Sequence, residues 1–374
     1  RDQADANLVF NQSIVVAVVC AVATIIGGYA LAEPYVSAIT ADMAAREEGL
    51  TFLYFFLPSL ALQFALITMG SALRGTGIVK PTMIVHAFTV VLNMVLAPVL
   101  IAGWGTGQAY GVAGAGLAST ISVAAGVAVL GYYFLRLEKY VRFDSALWRP
   151  RIKEWRRLFN IGLPAGGEFA LMFVYMAVVY FVIADFGASA QAGFSIGGRV
   201  MQSIFLPAMA IAFAAGPIAG QNFGAGRFDR VRETMSKAIL LCSGVMILVT
   251  IFFQWRPEVL IAAFTDEAEA IQVGAEFLQI ISLNFIAQGI VFTCSGMFQG
   301  LGNTRPALLS SAARISMFVP LAMYMAGHEN FSIADLWYAS VITVFAQAGF
   351  SFYLLQRQFR SKLDPQPADA SAPA

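Results

Sequence analysis

The sequence predicts an all-α integral membrane protein of two pseudo-symmetric helical lobes, with ten transmembrane helices here of an inferred twelve. Three observations carry that prediction. Of 374 residues, 59% are hydrophobic and 12% charged, and the mean hydropathy is +0.72. An average soluble domain has about 25% charged residues, so this chain cannot cover a water-facing surface. Second, the chain divides into ten apolar segments near the length of about 20 residues that a spanning helix needs. Third, Ala72-Leu73-Arg74-Gly75-Thr76-Gly77-Ile78-Val79-Lys80-Pro81 returns as Met297-Phe298-Gln299-Gly300-Leu301-Gly302-Asn303-Thr304-Arg305-Pro306. Each copy ends one apolar segment and begins the next.

The expected spans are about 8–33, 50–73, 82–103, 112–135, 157–184, 192–217, 235–262, 272–298, 307–327 and 333–356. The long polar connector joins the fourth span to the fifth. The expected domains are thus an incomplete four-helix N-terminal lobe at 1–135, a cytoplasmic linker at 136–157, and a six-helix C-terminal lobe at 158–360. The end of the chain, 361–374, is rich in Pro, Ala and Ser and reads as a disordered tail.

Orientation follows from Lys and Arg. An even number of spans puts both termini on one side, and nineteen of the 23 cations fall there, eight of them between Arg136 and Arg157. The opposite loops hold only Arg46 and Arg256, beside Asp42, Glu47, Glu48, Glu258, Asp266, Glu267 and Glu269. Both termini are therefore expected in the cytoplasm, and the chain in a cytoplasmic (inner) membrane.

The repeat sharpens this scheme. At the same offset of 225, Gln63 maps to Gln288 and Thr68 to Thr293. Spans one to four match spans seven to ten, which leaves five and six without an upstream partner. The pattern therefore predicts two further helices, about 70 residues, ahead of Arg1. Duplicated lobes in a membrane chain are the usual signature of a transporter with a central cavity.

Ionic residues inside spans usually face a cavity or a partner, because a charge at the bilayer centre costs about 2.5–3.5 kcal/mol on insertion scales. Glu168, Arg199 and Arg314 qualify. Glu168, Met172 and Tyr175 follow i, i+4, i+7 spacing and share one helix face. A carboxylate there can accept a proton or offset an organic cation, while Met and Tyr pack against flat apolar compounds. The bland alternative is a structural ion pair of Glu168 with Arg199 or Arg314. Asn93, Gln63, Asn284 and Gln288 are uncharged polar groups in spans, suited to helix–helix hydrogen bonds or to cavity lining. His86 is better read as hydrogen-bonded structure than as a proton relay. Pro58, Pro98, Pro207 and Pro320 sit inside spans and should kink them.

The glycines of the paired loops, Gly75, Gly77, Gly300 and Gly302, allow a tight turn between helices. Pro81 and Pro306 suit the first turn of the helix that follows. A hinge role for these glycines is the functional alternative to plain turn chemistry. A phosphate-binding glycine loop is excluded, since no strand precedes them. No catalytic constellation appears: His86 and His328 lie in unrelated segments, and Cys20, Cys242 and Cys294 are isolated in apolar runs. The chain is expected to be no enzyme and to hold no metal or resident cofactor.

Four further motifs join the glycine loops. Ile161-Gly162-Leu163-Pro164-Ala165 opens the fifth span, and Gly220-Gln221-Asn222-Phe223-Gly224-Ala225-Gly226 follows the sixth. Leu92-Asn93-Met94-Val95-Leu96-Ala97-Pro98 lies in the third, and Gly111-Val112-Ala113-Gly114-Ala115-Gly116 opens the fourth. In this order the set resembles the multidrug and toxic compound extrusion (MATE) family across nearly the whole chain. The resemblance implies a twelve-helix antiporter exporting organic cations and amphipathic drugs against proton or sodium influx by alternating access. In that reading this chain lacks the family's first two helices. It also implies small cationic or amphipathic substrates, contact with membrane lipid, a monomer, and no nucleic acid. The sequence departs from the family at three acidic positions. Ala97 stands where the proton-coupled pattern has Asp, and Gln288 and Met172 stand where sodium-coupled members carry acids. The other readings are a flippase of lipid-linked saccharides, which the membrane arginines would suit, and a scaffold or receptor that transports nothing.

Overall fold

The computed structural model describes residues 3–105 and 107–363. Twelve α-helices follow one another: α1 Gln3–Ile39, α2 Met43–Thr76, α3 Lys80–Ala102, α4 Gly111–Arg136, α5 Ile152–Ile183, α6 Ala188–Gly224, α7 Phe228–Trp255, α8 Pro257–Ala262, α9 Ala268–Ser282, α10 Phe285–Gly300, α11 Arg305–Ala326 and α12 Ile333–Lys362. Among the described residues nine helices are long and apolar enough to cross a membrane, and the pair α9–α10, bent by 59°, makes a tenth span.

The spans differ from the sequence expectation at three places. The seventh ends at Trp255, where Arg256 leaves helical geometry and Pro257 opens the short α8. The fifth starts at Ile152, so the helix takes in the last residues of the expected linker. The expected tail begins too early: α12 runs through Lys362, whose Nζ donates to the Leu301 carbonyl at 2.9 Å. The remainder of that tail lies outside the described residues.

The chain forms two compact units, Arg1–Leu158 and Phe159–Ala374. In the first, α2 packs against α1 and α4, and α4 against α3. Phe10, Leu66, Leu73, Leu130 and Phe134 form its buried centre. At one end the connector is tied to α1 by two fully buried amides, Asn11 and Gln12. Gln12 Nε2 donates to the carbonyls of Leu147 (2.6 Å) and Arg149 (2.9 Å), while its Oε1 accepts from the Arg151 amide and the Trp155 indole. Asn11 Nδ2 donates to the Arg142 carbonyl, and its Oδ1 accepts from the Asp144 amide and the Trp148 indole. An irregular segment must satisfy its backbone groups somewhere, and these two side chains satisfy five of them.

The second unit centres on Phe194, Phe253, Phe277, Phe285, Phe318 and Trp337. Its α6 packs on α7, α9 and α10, and α10 also on α7 and α12. The α6–α10 seam is built of small residues. A Cβ on Gly216 would lie 2.8 Å from the Gly296 carbonyl oxygen, and one on Gly296 would strike the Ala212 carbonyl. Lipid offers no hydrophobic drive for helices to associate, so close backbone approach of this kind supplies the packing energy instead.

The α9–α10 bend has no proline. Its position, Leu283, is the repeat equivalent of Pro58, which sits inside the unbroken α2. The carbonyls freed at the bend are covered from α7: Thr250 Oγ1 donates to the Ser282 carbonyl (3.0 Å), and Gln254 Nε2 to that of Gln279 (2.8 Å). Broken helices within a membrane need such partners.

Replacing Gln12 by Ala should strip partners from Leu147, Arg149, Arg151 and Trp155. Leaving such groups unsatisfied costs about 1–3 kcal/mol. The expected result is a lower thermal midpoint in detergent and faster trypsin cleavage at Arg151 and Lys153. Unchanged cleavage would mean that the connector is held by other contacts.

Candidate functional site

A cavity opens within the second unit. It is lined from α5 by Glu168, Phe169, Met172 and Tyr175, from α6 by Met209 and Phe213, from α10 by Gln288, Phe292, Ser295 and Gln299, from α11 by Ser311 and Arg314, and from α12 by Gln347. About 80 Å³ of it is open to the centre of a water-sized molecule. Helix α5 reaches its neighbours mainly through long side chains, such as Tyr175 against Phe318 with ring centroids 4.8 Å apart. Bulky groups on that face hold α5 off, whereas glycines draw α6 and α10 together.

One acid and one base line the cavity. Glu168 Oε2 accepts a hydrogen bond from Ser295 Oγ at 2.7 Å. Among the described residues Glu168 pairs with neither Arg199 nor Arg314, so the alternative reading of a structural ion pair is not met. Arg314 instead lays its guanidinium over the Tyr175 ring, 4.6 Å from the centroid. Its Nη2 donates to Ser340 Oγ at 3.4 Å, and Tyr175 Oη lies 2.8 Å from the same hydroxyl.

Of the candidates read from sequence, the structure therefore gathers Glu168, Met172, Tyr175, Gln288 and Arg314 around one cavity. Arg199 is not among them. It lies on the exposed face of α6, because depth along a span does not fix which way a residue faces. Asn284 is buried at the α9–α10 bend, outside the cavity lining. Gln63 and Asn93 belong to the first unit. Asn93 Nδ2 donates to Ser119 Oγ at 3.2 Å, a bond between α3 and α4. His86 lies near Gly70 and Arg74.

Sequence reasoning missed Ser295, Gln299, Ser311 and Gln347. Helical spacing could have found the first two, since they follow Gln288 at i+7 and i+11 on one face. Ser311 precedes Arg314 by three residues in the same way. Nothing local marks Gln347, whose Nε2 donates to Ser311 Oγ at 3.0 Å.

The paired loops fold alike. Gly77 and Gly302 both take left-handed φ, +88° and +70°. The amide of Ile78 bonds to the Leu73 carbonyl and that of Asn303 to the Phe298 carbonyl, the same helix-ending pattern 225 residues apart. Gly75 and Gly300 are not turn residues: each lies in the last turn of its helix. A Cβ on Gly300 would run into the Gly216 carbonyl, while one on Gly75 would meet nothing within 4 Å. Gly300 is needed for helix packing rather than for a turn.

A half-buried carboxylate walled by aromatic and thioether side chains, within helices that cross a membrane, defines a multi-pass membrane protein with an ionisable group facing an internal cavity. The chain belongs to the MatE family, whose model matches residues 1–99 and 164–324. It is 26% identical over 293 residues to the probable multidrug resistance protein YoeA of Bacillus subtilis, covering 76% of this chain and 62% of that protein. It is 26% identical over 286 residues to the probable multidrug resistance protein NorM of Thermotoga maritima, covering 76% of this chain and 61% of the relative. The chain thus spans less than two thirds of the length of these relatives. Its fold matches an outward-facing MATE family transporter of the MOP superfamily with a TM-score of 0.89 at 20% identity, covering 98% of this chain and 81% of that one.

Gly300→Ala should destabilise the second unit by about 1–3 kcal/mol, the usual cost of overpacking. Gly75→Ala, its repeat counterpart, should be neutral or slightly stabilising, as Gly is a poor helix residue. Thermal unfolding of both variants checks the contrast. Equal effects would mean that the two glycines share one role.

Proposed function

We propose that this protein is an ion-coupled antiporter that exports organic cations and amphipathic compounds by alternating access. The observation that carries the reading is the Glu168 carboxylate, which faces an open apolar cavity and is held by a hydroxyl rather than neutralised by an arginine. A carboxylate so placed can bind a cationic substrate or the coupling proton or sodium ion, but not both together. Mutual exclusion at one group is enough to couple their movements, because each ligand biases the equilibrium between the two access states. Phe169, Met172, Phe213 and Phe292 supply apolar and aromatic surface for the uncharged part of the substrate. The names of the relatives, multidrug resistance proteins, support the same substrate class.

The excess of Lys and Arg on one side supports a cytoplasmic (inner) membrane location with both termini in the cytoplasm. The protein acts as a monomer in contact with lipid and holds no cofactor beyond the ion it transports. The lipid-linked saccharide reading is weaker: it relied on two membrane arginines, and one of them, Arg199, lies outside the cavity lining. A scaffold that transports nothing gives Glu168 no use.

Efflux of ethidium from cells expressing the gene tests the proposal. Losing a charge-assisted contact worth about 1.5–3 kcal/mol should cost on the order of tenfold or more in transport for Glu168→Gln. Ionophores that collapse the proton or the sodium gradient identify the coupling ion. Full ion-driven export by Glu168→Gln would overturn the assignment of Glu168, and gradient-independent behaviour of the wild type would favour the scaffold.

A further inference from the structure

The connector between α4 and α5 carries more positive charge than its own acids balance. Arg136 ends α4 and Ile152 begins α5, so both ends of the connector lie where spans leave the membrane. Eight cations and three acids fall from Arg136 to Arg157. The acids are all engaged locally. Glu138 Oε1 accepts from the amides of Lys139 (3.1 Å) and Tyr140 (2.8 Å), and Asp144 Oδ1 from that of Ala146 (3.0 Å). Glu154 lies 3.7 Å from Arg157, which also pairs with Asp5 at 3.0 Å. The other seven cations are exposed, and among the described residues none of them forms an ion pair.

Apolar side chains are interleaved with these charges. Leu137, Tyr140, Trp148 and Ile152 are all exposed, Ile152 to 74% and Trp148 to 46%. They are presented on a pinned backbone. The Trp148 indole donates to Asn11 Oδ1 at 3.0 Å, Gln3 Nε2 donates to the carbonyls of Lys139 and Tyr140, and Gln12 holds the stretch from Leu147 to Arg151. Trp and Tyr beside Lys and Arg at the ends of spans make the composition of a surface that sits among lipid headgroups. Acidic headgroups supply the countercharge that the connector lacks.

We propose that the connector is a binding surface for acidic phospholipids. Its exposed aromatic and aliphatic groups enter the headgroup layer, and its arginines and lysines meet the phosphates. A lipid fits better than a soluble anion because it also removes the interleaved apolar groups from water. The inference is independent of the transport reading and requires only that α4 and α5 cross the membrane.

The test is quenching of Trp148 emission in lipid nanodiscs by phosphatidylglycerol or phosphatidylcholine carrying a nitroxide near the headgroup end of one acyl chain. The difference between the wild type and Trp148→Phe isolates this residue from the other tryptophans. At low salt phosphatidylglycerol should associate about fivefold more strongly than phosphatidylcholine, the scale of one cation at an anionic surface. Sodium chloride at about 0.5 M should remove most of that preference. The triple variant Arg149→Gln, Arg151→Gln, Lys153→Gln should abolish it; these side chains are exposed, so the variant should fold. The variant Arg227→Gln, Arg230→Gln, Arg357→Gln, which removes cations of the second unit, should leave it intact. Equal quenching by the two lipids in the wild type would overturn the proposal and leave the surface to a soluble acidic partner. An equal loss in the second-unit variant would also sink it, because overall charge and not the connector would then draw the lipid. Should Trp148→Phe fail to fold, total tryptophan emission of the wild type and the two triple variants gives the same comparison.

Discussion

The close seam between α6 and α10 is the constraint on which the functional half of the molecule depends. Ala212 and Gly216 on one helix meet Gly296 and Gly300 on the other, and any added Cβ runs into a carbonyl. In water such a contact would be one among many, but between helices within a membrane it is a main source of attraction. The seam fixes the rotation of α10 about its axis. Ser295 lies beside Gly296 in sequence, and Gln288 and Gln299 share its face, so locking the glycines against α6 turns those three toward the cavity. Ser295 is then in place to donate to Glu168 across from α5. The direction of α10 is set separately, by the 59° bend at its start.

Two irregular segments, the α9–α10 bend and the connector after α4, obey the same accounting of backbone polar groups. The α9–α10 bend frees carbonyls in an apolar bundle, and Thr250 and Gln254 on α7 accept the task of covering them. The connector after α4 frees more, and Asn11 and Gln12 on α1 serve it. In each case amide or hydroxyl side chains sit in an otherwise apolar helix at the depth of the break. A polar residue in a span therefore has three uses here: covering backbone, joining helices as Asn93 does with Ser119, and facing solute as Glu168 does.

That threefold ambiguity explains what the sequence disclosed and what it withheld. Apolar length disclosed the spans, because bilayer thickness imposes it on each segment independently of its neighbours. The paired loops were legible for a similar reason, since the left-handed glycine and the helix-ending hydrogen bond are local features. Glu168, Met172 and Tyr175 were legible as one face because α5 is continuous through them. The bend at Leu283 was not, since it carries no proline, whereas its counterpart Pro58 lies in a helix that does not break. Nor could sequence separate Arg314 from Arg199. Both lie about two turns into their expected spans, and only packing decides that one points into the cavity and the other away. Asn11 and Gln12 were not singled out from the sequence, because their partners lie more than 130 residues away.

The arrangement of Glu168 and Arg314 is not the one that stability alone would select. Two opposite charges in an apolar bundle gain most by pairing with each other, and breaking up a buried pair is costly. Here both are retained and, among the described residues, form no ion pair with each other. Glu168 bonds to a hydroxyl on α10, and Arg314 stacks on a ring two turns further along α5. Each is stabilised enough to remain in place, and neither is neutralised. A residual demand for charge at two points of one cavity is the property expected of a site that must release what it binds. A fully satisfied cavity would have no reason to admit a solute, and a fully unsatisfied one would not fold. The hydroxyls of Ser295 and Ser340 hold the site between those limits. They form hydrogen bonds to the charged groups without adding opposing charge, so most of the electrostatic demand is left for the ligand.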